Sequence, residues 1–138
     1  MALPRISKLS IKGFKSIKEL EDFEAKNLTV LIGANGAGKS NFIGFFRRLS
    51  FMFSGSGNLQ EHLATRLGGA DLTLFDGKKI TQTIEAYLEI ETEQGFNEYQ
   101  FKLAEASGDK LIFVLEQNRF SNRQFLSRNQ WYKYEGSV

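Results

Sequence analysis

An α/β domain is the fold class this sequence predicts, with a mixed sheet around one helix and an antiparallel β meander after it. Three observations predict it. A short apolar run at residues 28–32 leads through a glycine-rich stretch into a segment of helical period. Beyond residue 70 the period falls to two, which suits half-buried strands. The 41% apolar and 25% charged fractions of the 138 residues are those of a globular chain rather than a disordered one. One domain is expected, with strands, a glycine loop and helices in residues 1–69 and the β region in residues 70–138.

The elements follow in order. Residues 5–14 alternate in part, Leu9 and Ile11 against Lys8, Ser10 and Lys12, and read as a strand with one wet face. Gly13 and the pair Lys15-Ser16 interrupt it, and residues 17–23 offer a second strand. Residues 28–32 are apolar apart from Thr29, which predicts a strand buried on both faces. In residues 40–53 the period changes: Phe42, Phe45, Phe46, Leu49 and Phe53 form one helical stripe. The stretch 54–57 ends that helix, and residues 59–67 suggest a second, short one. Residues 80–91, 98–103 and 111–115 read as strands punctuated at Asp76-Gly77, Gln94-Gly95 and Gly108-Asp109, with a further hairpin through Trp131 and Tyr134.

Composition excludes several function classes. The chain has no cysteine, which removes disulfide scaffolds, thiolate metal sites and cysteine nucleophiles. Its one histidine, His62, gives little basis for a zinc site or a Ser-His-Asp triad. No apolar run reaches the 18 or so residues of a membrane span, and the start lacks the apolar core of a secretory signal. A cytoplasmic protein with no membrane partner is expected. A net charge of +2 does not by itself name nucleic acid as a partner.

The chemistry is concentrated in residues 33–40, Gly33-Ala34-Asn35-Gly36-Ala37-Gly38-Lys39-Ser40, which fit G-x-x-x-x-G-K-[ST] without a gap. A polyphosphate needs several donors converging from one side, and a backbone curled into consecutive N–H groups supplies them. The glycines allow the curl, and the helix that follows adds its positive end. Lys39 is placed to reach the β- and γ-phosphates, and Ser40 to ligate Mg²⁺. The candidate nucleotide-binding set from this loop is Gly33, Asn35, Gly36, Ala37, Gly38, Lys39, Ser40 and Asn41, with ATP and Mg²⁺ as cofactors.

Two strands before the loop, and the segment Ile11, Phe14, Lys15 and Ser16 ahead of it, make the chain resemble the N-terminal lobe of ABC-type P-loop ATPase heads. The closest resemblance is to the RecF/SMC-like branch and the related AAA-type predicted ATPases near the OLD nucleases. The resemblance implies that Lys15 and Ser16 lie beside the nucleotide and that the β-rich stretch is the antiparallel part of that lobe. It also implies a partner, a second ATPase half or a second copy, and in that branch a basic surface often faces DNA. Here Arg5, Lys8, Lys12, Lys15 and Lys18 make the first strands basic, while Glu85, Glu89, Glu91, Glu93 and Glu98 make one meander face acidic. From the residues alone, solvated faces of edge strands are the better account of both runs.

The rest of such a head is not matched. The run ending at Asp76 continues into Gly77 where a second acid belongs, and residues 111–115 precede Glu116-Gln117 where an aspartate belongs. Gln117 is the remaining candidate for a metal-contacting glutamine. The expected function is therefore Mg·ATP binding as the phosphate-loop half of an ATPase, without efficient hydrolysis by this chain alone. The alternatives are a self-contained small P-loop kinase, and a β-rich DNA- or protein-interaction module whose loop no longer binds nucleotide.

Overall fold

A computed structural model describes residues 3–53, 73, 81–107, 110–124 and 129–134. Strands β1 (Arg5–Phe14) and β2 (Ile17–Glu24) precede helix α1 (Lys39–Phe53). Strands β3 (Thr83–Glu91), β4 (Gly95–Ala106), β5 (Lys110–Asn122) and β6 (Tyr132–Lys133) follow. They form one six-stranded sheet in the order β2-β1-β3-β4-β5-β6. Every pairing is antiparallel. The expected mixed sheet is thus corrected: the described sheet has no parallel pair.

Register explains the core. Leu9 lies opposite Leu88, and Leu88 opposite Tyr99; Ile11 lies opposite Ala86, and Ala86 opposite Phe101. Period-two alternation puts these side chains on one face. There, Phe45 and Leu49 of α1 join Leu9, Ile11, Ile84, Leu88, Phe101, Leu103 and Leu111 in a single buried cluster. Burying one such side chain contributes roughly 1.5–3 kcal/mol. Edge-to-face ring pairs fasten the helix to the first two strands, Phe14 to Phe45 at 5.3 Å and Phe23 to Phe42 at 5.1 Å. Phe42, Phe45, Phe46 and Leu49 of the helical stripe read from the sequence form the face that packs.

Two irregularities aim these rings. Gly13 has φ +72°, and a Cβ there would stand 2.4 Å from the Thr83 carbonyl oxygen. The break in alternation buries Phe14 against α1 instead of placing it on the wet face of Lys12. In β2, Asp22 is left-handed (φ +46°) and its amide donates to Ser10 Oγ at 3.0 Å. The register shift there gives Ile17, Leu20 and Phe23 partners on β1 at Phe14, Ile11 and Leu9.

The other face of the sheet is polar and internally paired. Lys12 bonds Glu19 at 2.8 Å, Lys102 bonds Glu85 at 2.8 Å, and Arg5 and Arg123 both reach Glu91. The basic first strand and the acidic third strand share one face, because β1 runs between β2 and β3 with opposite charges in register. Deeper on this face Glu98, 2% exposed, takes two bonds from Arg119, at 2.6 and 2.7 Å, and one from the Tyr87 hydroxyl at 2.7 Å. The Trp131 ring stacks on the Arg119 guanidinium at 4.3 Å.

The expected buried strand at residues 28–32 is also corrected. The segment belongs to no strand. Leu28, Val30 and Ile32 are 82%, 71% and 89% exposed. A continuous apolar run is buried on both faces only when strands flank it, and no described strand pairs with it. The second helix at 59–67, the turn at Asp76-Gly77, and His62 lie outside the described residues. No described helix is long and apolar enough to cross a membrane.

Candidate phosphate-binding loop

Residues 33–38 curl between the apolar segment 28–32 and the first turn of α1. Gly36 and Gly38 have φ +86° and +90°, and the Ala37 amide closes a tight turn on the Ala34 carbonyl at 3.2 Å. Phe42 N–H donates to Gly38 O at 2.9 Å and starts the helical ladder, which leaves the preceding amides without helical partners. Among the described residues the amides of Asn35, Gly36, Gly38, Lys39 and Ser40 bond no carbonyl. They form an anion-attracting concavity at a helix start. Residue 36 has open space where a Cβ would stand, and the loop is exposed.

Lys39, the first residue of α1, folds back over the loop. Its Nζ donates to the Gly33 and Ala34 carbonyls at 2.5 and 2.7 Å. The cation is held at the loop mouth by weak, replaceable acceptors rather than by a carboxylate. Ser40 is exposed beside it.

The β1–β2 turn reaches the same place. Ser16 Oγ accepts from Asn41 Nδ2 at 2.8 Å, and it lies 2.9 Å from where a Cβ on Gly38 would stand. Lys15 precedes it in the left-handed region at φ +49°. The structure therefore brings Ser16, Gly33, Asn35, Gly36, Ala37, Gly38, Lys39, Ser40 and Asn41 into one neighbourhood, with Lys15 adjoining in sequence. It does not bring Gln117 there. Gln117 is buried in β5, donates to Gln100 Oε1 at 2.8 Å, and sits on the polar face, away from the face that α1 covers. β3 and β4 separate its strand from β1.

A cleft of about 450 Å³ runs beside the loop, lined by Ser16, Glu19, Leu20, Ile32, Gly38 and Lys39 among others. Glu19 was not singled out by sequence, since only the fold of β2 carries it to residue 38. Its bond to Lys12 holds its carboxyl below the ordinary 4.5 and raises the lysine above 10.5. Among the described residues no trio of His, Cys, Asp or Glu is placed to hold a metal. A divalent ion would need the Ser40 hydroxyl together with oxygens of a bound phosphate and water.

An amide-lined glycine loop capped by a lysine, opening a helix that packs on a sheet, defines a P-loop ATPase-like domain. Residues 28–131 match the family described as "AAA domain, putative AbiEii toxin, Type IV TA system", and the chain belongs to that family. No curated protein and no solved structure matches the chain.

Proposed function

We propose that this chain binds Mg·ATP in the loop 33–40 and serves as the phosphate-loop half of an ABC-type ATPase head of the RecF/SMC-like kind. The observation that carries the reading is the set of unpartnered loop amides under a lysine bonded only to carbonyls. On phosphate arrival Lys39 exchanges two neutral acceptors for anionic oxygens, a charge-assisted and stronger bond. The Gly36, Gly38 and Lys39 amides hold the β- and γ-phosphates, Ser16 and Lys15 flank them, and Ser40 faces the metal. Bound Mg²⁺ supplies charge neutralisation of the phosphates.

Hydrolysis needs a positioned water and a base besides the cradle. The carboxylate lining the same cleft, Glu19, is engaged by Lys12. The reading is therefore nucleotide binding without efficient turnover. The exposed apolar run at 28–32 supports a completing half, from a second polypeptide segment or a second copy, that supplies the flanking strands. Lys12 is paired with Glu19 and Arg5 with Glu91, so sheet cohesion accounts for these two cations of β1.

Titration with a fluorescent ATP analogue, with and without Mg²⁺, tests the reading. Saturable, Mg²⁺-enhanced binding is expected, and Lys39→Ala should weaken it at least ten-fold, the worth of one hydrogen bond to a charged group. Equal affinity of wild type and variant would sink the assignment.

A further inference from the structure

The turn between β1 and β2 is fastened to α1 at two points. The Phe14 ring packs edge-on against Phe45, and two residues later Ser16 Oγ accepts from Asn41 Nδ2 at 2.8 Å. Between them Lys15 is left-handed, a backbone state that a residue with a side chain keeps only when its surroundings hold it. The Ser16 hydroxyl is thereby pressed against Gly38, where a Cβ would stand 2.9 Å away. Glycine at 38 thus serves two needs, its positive φ and room for a hydroxyl from another strand pair.

The polarity of this contact matters. A serine hydroxyl has one hydrogen and two lone pairs. The Asn41 N–H occupies a lone pair, so the Ser16 hydrogen stays available. Ser16 is exposed, and among the described residues its O–H donates to nothing. The contact leaves a donor standing beside the free amides of Gly38 and Lys39. One of the two N–H groups of the Asn41 amide is engaged by Ser16.

We propose that Asn41 is a positioning residue: it aims the Ser16 hydroxyl at the phosphate tail and does not itself touch the nucleotide. This deepens the nucleotide-binding reading and rests on it. The order of action is Asn41 on Ser16, and Ser16 on a phosphate oxygen next to Gly38.

A double-mutant cycle tests it. Wild type, Ser16→Ala, Asn41→Ala and the double variant are titrated with the fluorescent ATP analogue and Mg²⁺. Each single change should weaken binding about ten-fold, and the double variant should be no weaker than Ser16→Ala, because the second change removes a contact already lost. Both side chains lie outside the core, so the nucleotide-free unfolding midpoints should match wild type; a purely structural role would lower them instead. Amide exchange at residues 16 and 17 of nucleotide-free Asn41→Ala should quicken. Additive losses, about a hundred-fold in the double variant, would show Asn41 on the nucleotide and overturn the proposal. Full affinity of Asn41→Ala would overturn it as well. A wild type that fails to bind would overturn the loop reading together with this one, whereas a binding wild type with an additive cycle overturns this one alone.

Discussion

Lys39 carries the loop's charge while contributing little to folding. Its bonds run to two carbonyls of the same loop, so removing it leaves no buried partner unsatisfied. The Lys39→Ala variant should unfold within about 0.5 kcal/mol of wild type while losing nucleotide. Glu91 behaves oppositely, with a role in folding and none in binding. It accepts from Arg5 and Arg123, and these bonds hold its carboxyl below the ordinary 4.5. A depressed folded value means that the native state favours the charged form. Its contribution is therefore complete above pH 4.5 and disappears as the pH falls through the lowered value. Unfolding midpoints measured down an acid series should drop less steeply for Glu91→Gln than for wild type; parallel curves would refute this. The residues of the loop were legible because eight consecutive positions carry the motif. Glu98 and Arg119 were not, since 21 residues separate them and only the β4–β5 register brings them together.

Elements were legible where one period ruled. Both early strands, α1, β3 and β4 stand close to where alternation or the phenylalanine stripe put them. β5 runs seven residues beyond the expected 115, to Asn122, because the polar residues after Leu115 pair with β4: Gln117 with Gln100 and Arg119 with Glu98. Cross-strand polar partners stabilise a strand that hydrophobic alternation alone does not reveal. Gly13 is where an element's fate depends on one backbone angle. Gly13→Ala would put a Cβ 2.4 Å from a main-chain oxygen at φ +72°, so β1 or β3 must shift. The expected cost is about 1–3 kcal/mol from the backbone strain, read as a lower denaturant midpoint. A wild-type midpoint would mean that Phe14 reaches Phe45 by another route.

At the scale of the whole molecule, among the described residues, α1 packs on one sheet face, ion pairs knit the other, and an apolar segment stands outside both. Burial of Leu9, Ile11, Leu88 and Phe101 shows that the sheet and α1 satisfy each other. Leu28, Val30 and Ile32 take no part in that core. Replacing Val30 and Ile32 together by serine should leave the unfolding free energy within about 0.5 kcal/mol of wild type. The same change should reduce the binding of a hydrophobic dye and any self-association. A large loss of stability would show instead that the run is packed within this chain.

By itself the sequence determined the phosphate loop, the apolar stripe of α1 and the alternating strands, because each depends on neighbours within a dozen residues. Tertiary structure alone decided that every described strand pair is antiparallel, that the lysines of β1 stand in register with glutamates of β2 and β3, and that Ser16 lands on Gly38. It also decided that residues 28–32 stay uncovered. Apolar character fixes what a segment seeks to bury, but whether a partner surface arrives depends on the path of the rest of the chain.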